Sequence, residues 1–438
     1  MTRSGSMLSF HVSSSQEANS RLGPGQFSHM RNQNKKGRSR MAIHGIAYPV
    51  ENANIIAFNP RKKRVRAILR GLANQRHLTV FESVGLDLRS APLSEHELRS
   101  AIFSAEKRPI NGLMHTAKRL FLRWQYNWCY RRLQPTRPGV VVCWNGVKGH
   151  RFLALVAAQR QCHSTLYLEE APLPGRLTVD FSGINYGSSL PRRSDFYQRW
   201  LAGNPAIDST AWRAMRSGLN ARKTSRRQKV KRRPDDTDLS RQKFIFCPLQ
   251  VPGDSQITVY GDWVKSIDDL IEHLEKAADC LPEGWHLRVK EHPSARVSFT
   301  ERLSEATKHR IILDNETDTF EQVAASRAVL TVNSSVGLES FFFEKPVLVL
   351  GHAFYAFDQI ATKVHSSKQL SEYLAAPEEL SFDPVARDAF MSYLVEQHFP
   401  SETDIVAGKI TLDNILARDR SRDELLRQLE ENHHRGFS

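Results

Sequence analysis

The 438-residue sequence contains no run of 18 or more apolar residues, roughly the length a helix needs to cross a bilayer. Nor does it open on an apolar stretch of signal-peptide type, so the expectation is a soluble cytoplasmic chain, neither membrane-spanning nor secreted. Cysteine is scarce: Cys129, Cys143, Cys162, Cys247 and Cys280 are odd in number, widely scattered and without C-x-x-C spacing. They are read as reduced core thiols, and no metal site is expected. The chain also lacks a helix-turn-helix, zinc-finger or aromatic RNA-binding pattern, so nucleic acid is not expected as a partner.

Positive charge, by contrast, is plentiful. The formal net charge is +15, which favours phosphate-bearing partners without choosing among them. Much of it lies in three runs: Lys35 to Arg40, Arg61 to Arg66, and Arg222 to Arg233. These read either as solvated linkers or as a patch for anionic phospholipid, which would make the protein peripheral on the inner membrane.

Residues 1–45 are rich in Ser, Gly, Asn, Gln and Arg and bury too little apolar surface to offset the entropy of ordering, so a disordered basic extension is expected there. Ordinary globular sequence begins soon after Met41, which makes Met41 a candidate start. Residues 46–220 then alternate short apolar runs with helical stretches, the pattern of an α/β sheet with parallel connections. The clearest unit is a buried strand at Val140–Trp144, a turn at Asn145-Gly146, a helix, and a second strand ending in Glu169 and Glu170. A charged, Pro-containing linker is expected at 221–240, a second α/β unit at 241–415, and a charged C-terminal helix or tail at 416–438. The fold class is therefore α/β, with two Rossmann-like doubly wound domains facing a cleft.

In open α/β sheets the ligand crevice lies beyond the carboxyl ends of the strands, so the chemistry is sought there. AVLTVNSSVGLESFFFEKPVLVLG delivers Asn333, Ser334 and Ser335 to such an end, where a following helix would present unpaired N–H groups to an anion. Glu339 could accept from ribose hydroxyls, and Gly337 permits close approach; Ser334 or Ser335 would equally serve as a plain N-cap. In HLRVKEHP, Pro293 fixes the backbone after the strand and holds His292, beside Lys290, where an imidazole can donate to a phosphate oxygen. CPLQVPGDSQI offers Gln250, Asp254, Ser255 and Gln256 from the first strand of the same unit. Glu169, Glu170 and Asp180 are the candidate acids, bases or nucleophiles, backed by a polar wall of Asn185, Tyr186, Ser188, Ser189 and Arg192.

Together the segments PLQVPGDSQI, KEHP and TVNSSVGLES resemble the capsule polysaccharide biosynthesis and export family, which includes β-Kdo transferases; the likeness runs from about Val140 to Leu370. The resemblance implies a GT-B fold, a CMP-linked acidic sugar as donor, a lipid or glycan acceptor and no metal or other cofactor. It also implies that His292 and Pro293 face the donor phosphate, with Ser334 and Ser335 as the serine loop. The N-terminal motif departs from the related transferases: Glu169-Glu170-Ala171-Pro172 stands where they show Glu followed by Asp or Asn, Gly and an aromatic residue. Glu170 would be the counterpart of the second position, with Asp180 as the fallback.

Overall fold

A computed structural model describes residues 53–60, 62–105, 111–134, 138–219, 239–252, 255–295, 297–305 and 310–435. The expected extension 1–45, the basic runs Lys35 to Arg40 and Arg222 to Arg233, and nearly all of the 221–240 linker lie outside them.

In the N-terminal half the elements are β1 (Ile55–Phe58), α1 (Lys63–Ala73), β2 (Leu78–Phe81), α2 (Glu95–Phe103), α3 (Gly112–Arg132), β3 (Val140–Trp144), α4 (Gly149–Arg160), β4 (Ser164–Glu170), β5 (Leu177–Asp180) and α5 (Ser194–Ala202). The sheet order is β2-β1-β3-β4-β5; all pairings are parallel except β4 with β5, which fold back as an antiparallel pair. β3 reads VVVCW because a central parallel strand is covered on both faces and can be apolar at nearly every position. At its end Asn145 and Gly146 both adopt positive φ, and a Cβ on Gly146 would sit 2.6 Å from the Tyr167 ring, so the turn that the sequence marks here needs glycine.

The C-terminal half continues with β6 (Lys243–Pro248), α6 (Ser255–Tyr260), α7 (Ile267–Ala278), β7 (Trp285–Lys290), α8 (Thr300–Glu305), β8 (Ile311–Leu313), α9 (Thr319–Ala325), β9 (Ala328–Thr331), α10 (Ser335–Glu339), β10 (Val347–Val349), β11 (Thr362–Lys363) and α11 (Ser367–Ala375). Here every strand is parallel, in the order β11-β10-β9-β6-β7-β8. The chain winds outward from β6 in one direction, then returns to β9 and winds the other way, which puts the topological switch point between β6 and β9. Both sheets belong to one compact unit, and two doubly wound α/β sheets of this kind make the GT-B-like arrangement expected from the sequence.

The last helices are α12 (Pro384–Tyr393), α13 (Glu402–Val406) and α14 (Leu412–Arg435). They show that the two halves exchange pieces. Phe196 and Tyr197 of α5, with Trp212, join one apolar core with Phe244 of β6 and Phe390 of α12. In return, Ile405, Leu412, Ile415 and Leu416 enter the core of the N-terminal sheet with Ile55, Val140 and Leu166. Thus the C-terminal helix is anchored rather than loose: Arg418 donates to the Val179 and His398 carbonyls at 2.8 and 3.1 Å and pairs with Asp419, all of it buried. Two of the five thiols, Cys162 and Cys280, are exposed; only Cys129, Cys143 and Cys247 are core residues.

Candidate functional site

The site is assembled at the β6/β9 switch point. Gln250, just past β6, and Asn333, just past β9, come from strands that are neighbours in the sheet yet far apart in sequence. Gln250 Nε2 donates to Asn333 Oδ1 at 2.9 Å, and the Asn333 backbone N–H donates back to Gln250 Oε1 at 3.2 Å. Asn333 Nδ2 in turn donates to the Gln256 and Tyr260 carbonyls at 2.7 and 3.0 Å, tying α6 to the same crossing. Both side chains are buried, so this amide pair sets the spacing of the loops around it.

Ser334 caps α10: its Oγ accepts from Val336 N–H at 3.2 Å, while its own N–H donates to Thr331 Oγ1 at 3.1 Å. The Tyr355 hydroxyl donates to the Ser334 carbonyl, and a Cβ on Gly337 would lie 2.3 Å from that hydroxyl oxygen. Gly337 therefore admits a tyrosine. The helix is five residues long and passes directly into a 3₁₀ turn at Ser340–Phe343. What this loop offers an anion is thus a few local N–H and hydroxyl groups, with little contribution from a macrodipole.

A cavity of about 190 Å³ opens here. From the C-terminal half it is lined by Gln250, Gln256, His292, Asn333, Ser334 and Ser335, together with the segment His352–Tyr355 that follows β10. Pro172, Asn185 and Tyr186 close it from the N-terminal half. Its volume is below the roughly 300–1,000 Å³ of whole-ligand pockets, so a nucleotide-sized ligand would place one part inside and the remainder in the open mouth.

His292 follows β7 directly. Its Nδ1 accepts from the Ser294 N–H at 3.1 Å, which in the neutral ring leaves the proton on Nε2 and makes that nitrogen the donor. His352 forms a second imidazole wall. It stacks on Tyr186 with centroids 4.7 Å apart, its Nε2 is enclosed 3.8 Å from Asp262 Oδ1, and burial holds its pKa below the ordinary value, which favours the neutral ring. Arg192 lies over the Tyr186 ring at 4.1 Å, propping it against His352.

Of the sequence candidates, Gln250, His292, Asn333, Ser334 and Ser335 meet at this cavity, and so do Asn185, Tyr186 and Gln256. The others stand apart. Lys290 Nζ donates to the Asn315 and Thr317 carbonyls at 2.9 and 2.5 Å, and burial lowers its pKa; it clamps the turn after β8 rather than reaching the cavity. Pro293 and Glu339 do not line the cavity, and Asp254 lies outside the described residues.

The carboxylates depart most from expectation, for none lines the cavity. Glu170 is exposed and ion-paired with Arg64, which also binds Glu402 at 2.6 Å. Glu169 is half-buried, accepts from Asn145 Nδ2, and has its pKa raised by burial. Asp180 is 0% exposed, and its oxygens accept from the N–H groups of Ser182, Gly183 and Ser189 at 2.7, 3.1 and 3.0 Å and from Ser189 Oγ at 2.6 Å. A carboxylate so enclosed cannot meet a substrate; it anchors the loop that carries Asn185 and Tyr186. Conversely, His352, Phe354 and Tyr355 line the cavity from beyond the 328–351 motif, in the segment that follows the buried strand β10 at its carboxyl end. Among the described residues, no group of three or more His, Cys, Asp or Glu is placed to hold a metal ion, and no helix is long and apolar enough to cross a membrane.

Comparison with known proteins gives this geometry a context. Protein FixF of Sinorhizobium fredii is 27% identical over 78% of this chain and 80% of its own length. The capsule polysaccharide export protein KpsS of Escherichia coli is 24% identical over 51% of this chain and 66% of its own. The capsule polysaccharide modification protein LipB of Neisseria meningitidis serogroup B is 22% identical over 49% and 64%. Among solved structures, the KpsC β-Kdo 2,7 transferase of Thermosulfurimonas dismutans aligns over 81% of this chain and 98% of its own with 13% identity and a TM-score of 0.42. At that score the likeness adds nothing to the fold, which rests on the strand orders above. Residues 212–397, which include every cavity residue of the C-terminal half, match the family described as capsule polysaccharide biosynthesis protein.

Proposed function

We propose that the protein is a glycosyltransferase of capsular polysaccharide synthesis that moves Kdo or a similar acidic sugar from a CMP-linked donor to a lipid or glycan acceptor. The reading is carried by one observation: His292, Ser334 and Ser335 converge on a single polar cavity at the switch point of a family-matched sheet. In transfer, the bond between the anomeric carbon and the phosphate oxygen breaks, CMP departs, and an acceptor hydroxyl supplies the new bond. The His292 imidazole and the serine loop donate to the departing phosphate, where negative charge accumulates; donors fixed in advance at such a point supply much of an enzyme's rate enhancement. The CMP-sugar assignment is what the family resemblance of the motifs at residues 247–257, 290–293 and 331–340 implies.

For the base or nucleophile, Glu169 or Glu170 requires the N-terminal loops to move toward the cavity. Glu169 is the better suited to proton transfer, because burial holds its carboxyl above the ordinary range. A cytoplasmic protein peripheral on an anionic inner membrane fits a lipid acceptor.

The test is calorimetry of the purified full chain with CMP, CMP-Kdo, CMP-sialic acid, UDP-glucose and GDP-mannose, repeated with His292→Ala. Selective cytidine binding that disappears in the variant is the expected result; preference for a uridine or guanosine donor, or no binding at all, would overturn it. A second reading is a glycan-binding or export-coupling protein without transferase activity. The absence of any carboxylate from the cavity lining favours it. The two part at Glu169→Gln and Glu170→Gln: a transferase loses sugar transfer in at least one while still binding CMP, whereas a binding protein shows no transfer to lose.

A further inference from the structure

Among the described residues, the exposed apolar side chains are concentrated in one stretch of the sequence. Seven of the twelve exposed large hydrophobics among the described residues fall between Leu86 and Phe121. Four of them, Leu113, Met114, Leu120 and Phe121, lie on the first three turns of α3, and Leu113 is 83% exposed.

Helical periodicity shows that this is a second apolar face. The core-facing side of α3 carries Leu122, Tyr126 and Cys129, all buried, with Gln125 beside them. Leu113, Ala117, Leu120 and Phe121 follow the i, i+4, i+7, i+8 rhythm of a single stripe. At 100° per residue that stripe points away from the packed side, and Leu113, Leu120 and Phe121 remain 83%, 43% and 44% exposed.

The charge beside it is one-sided. α3 carries Lys118, Arg119 and Arg123 in the turns of the stripe and the turn after them, Arg131 and Arg132 at its far end, and no acidic residue. Glu95 of α2 pairs with Arg119 at 2.8 Å and lies 3.7 Å from Arg123, which neutralises part of one margin but leaves the balance positive. An apolar stripe edged by cationic side chains, on a helix too polar overall to span a bilayer, matches the pattern of helices that lie in the plane of an anionic lipid surface.

We infer that the N-terminal turns of α3 dock the protein on an anionic phospholipid bilayer, with Leu113, Leu120 and Phe121 entering the headgroup boundary. This surface is distinct from the basic runs read from the sequence, and its test requires neither donor nor transfer.

The experiment is co-sedimentation of the full chain with phosphatidylcholine vesicles, with and without phosphatidylglycerol, comparing wild type, the triple variant Leu113→Gln/Leu120→Gln/Phe121→Gln, and Lys118→Gln/Arg119→Gln. Wild type is expected to bind the phosphatidylglycerol vesicles and to bind pure phosphatidylcholine far more weakly. The triple variant should lose about tenfold in affinity and the charge variant a smaller factor that vanishes at high salt. Because all three replaced apolar side chains are exposed, the melting temperature of the triple variant should match wild type, separating loss of docking from loss of fold. Wild-type binding retained in the triple variant would overturn the inference, as would failure of the wild type to bind either vesicle. So would a wild-type dimer in sedimentation velocity that the triple variant converts to monomer, because the stripe would then be an interface between two copies.

Discussion

The two sheets end in different ways. At the carboxyl ends of β6 and β9 in the C-terminal sheet the polar side chains are neutral amides: Gln250 and Asn333 bind each other and two backbone carbonyls, and an open cavity remains beside them. In the N-terminal sheet the strands end in carboxylates, and each is held by a partner: at the end of β4 Glu170 by Arg64 and Glu169 by Asn145, and at the end of the antiparallel β5 Asp180 by its own loop. A neutral amide pair keeps its geometry without a counter-ion and so can frame an empty space. A charged group loses water on burial and must be enclosed by donors. The N-terminal edge therefore shapes the site at a distance, through the Asp180-anchored loop that presents Tyr186, while the C-terminal edge supplies its walls.

If this contrast is right, removing an enclosed carboxylate should cost stability, and removing an exposed one should not. Asp180→Ala strands three N–H groups, so a loss of about 3–5 kcal/mol is expected in denaturant unfolding. A change below 1 kcal/mol would show that the loop holds itself. Asn333→Ala removes three side-chain hydrogen bonds, one from Gln250 Nε2 and one each to the Gln256 and Tyr260 carbonyls, and should cost about 2–4 kcal/mol, with nucleotide binding weakened even where the protein remains folded. Intact binding in that variant would mean the amide pair does not set the cavity.

Acid should act on the two sheets with opposite sign. His286 on β7 stacks on Phe244, and burial brings its pKa down from 6.5 to about 4. The folded ring stays neutral while the unfolded one takes up a proton, so its stability contribution is full above pH 6.5 and lost as pH falls toward 4. That loss is at most on the order of 3 kcal/mol, and His286→Phe should flatten the acid limb of a stability–pH curve. Glu169 has a raised pKa, so its contribution is present in acid and lost as pH climbs through the raised value; Glu169→Gln should remove that opposite slope. Finally, Glu170→Gln, at an exposed ion pair, should change stability by less than about 1 kcal/mol, so any large effect on sugar transfer would be chemical and not structural.

Much of this architecture is legible along the chain. The buried strands at 140–144, 243–248 and 328–331 and the punctuation after them reveal two parallel α/β sheets, because period and turn chemistry are local properties. The cavity's C-terminal wall was legible for the same reason: Gln250, His292 and Asn333 each sit one to three residues past a readable strand. His352 carries the same signal after β10, just beyond the 328–351 motif.

The fate of the charged groups was not legible, because it depends on partners far away in sequence. Arg64 lies 106 residues from Glu170 and 338 from Glu402, and Arg418 lies 239 from Val179. No spacing rule links such positions, and whether a carboxylate is a catalyst, a loop anchor or half of an ion pair depends on what the fold brings beside it. The sequence by itself determined the two sheets and the strand ends where chemistry gathers, through hydrophobic periodicity and turn residues. Only the tertiary structure decided which of those ends holds an open cavity, which charges are enclosed, and that α3 turns a second apolar face outward, since burial and long-range pairing exist only once the chain has packed.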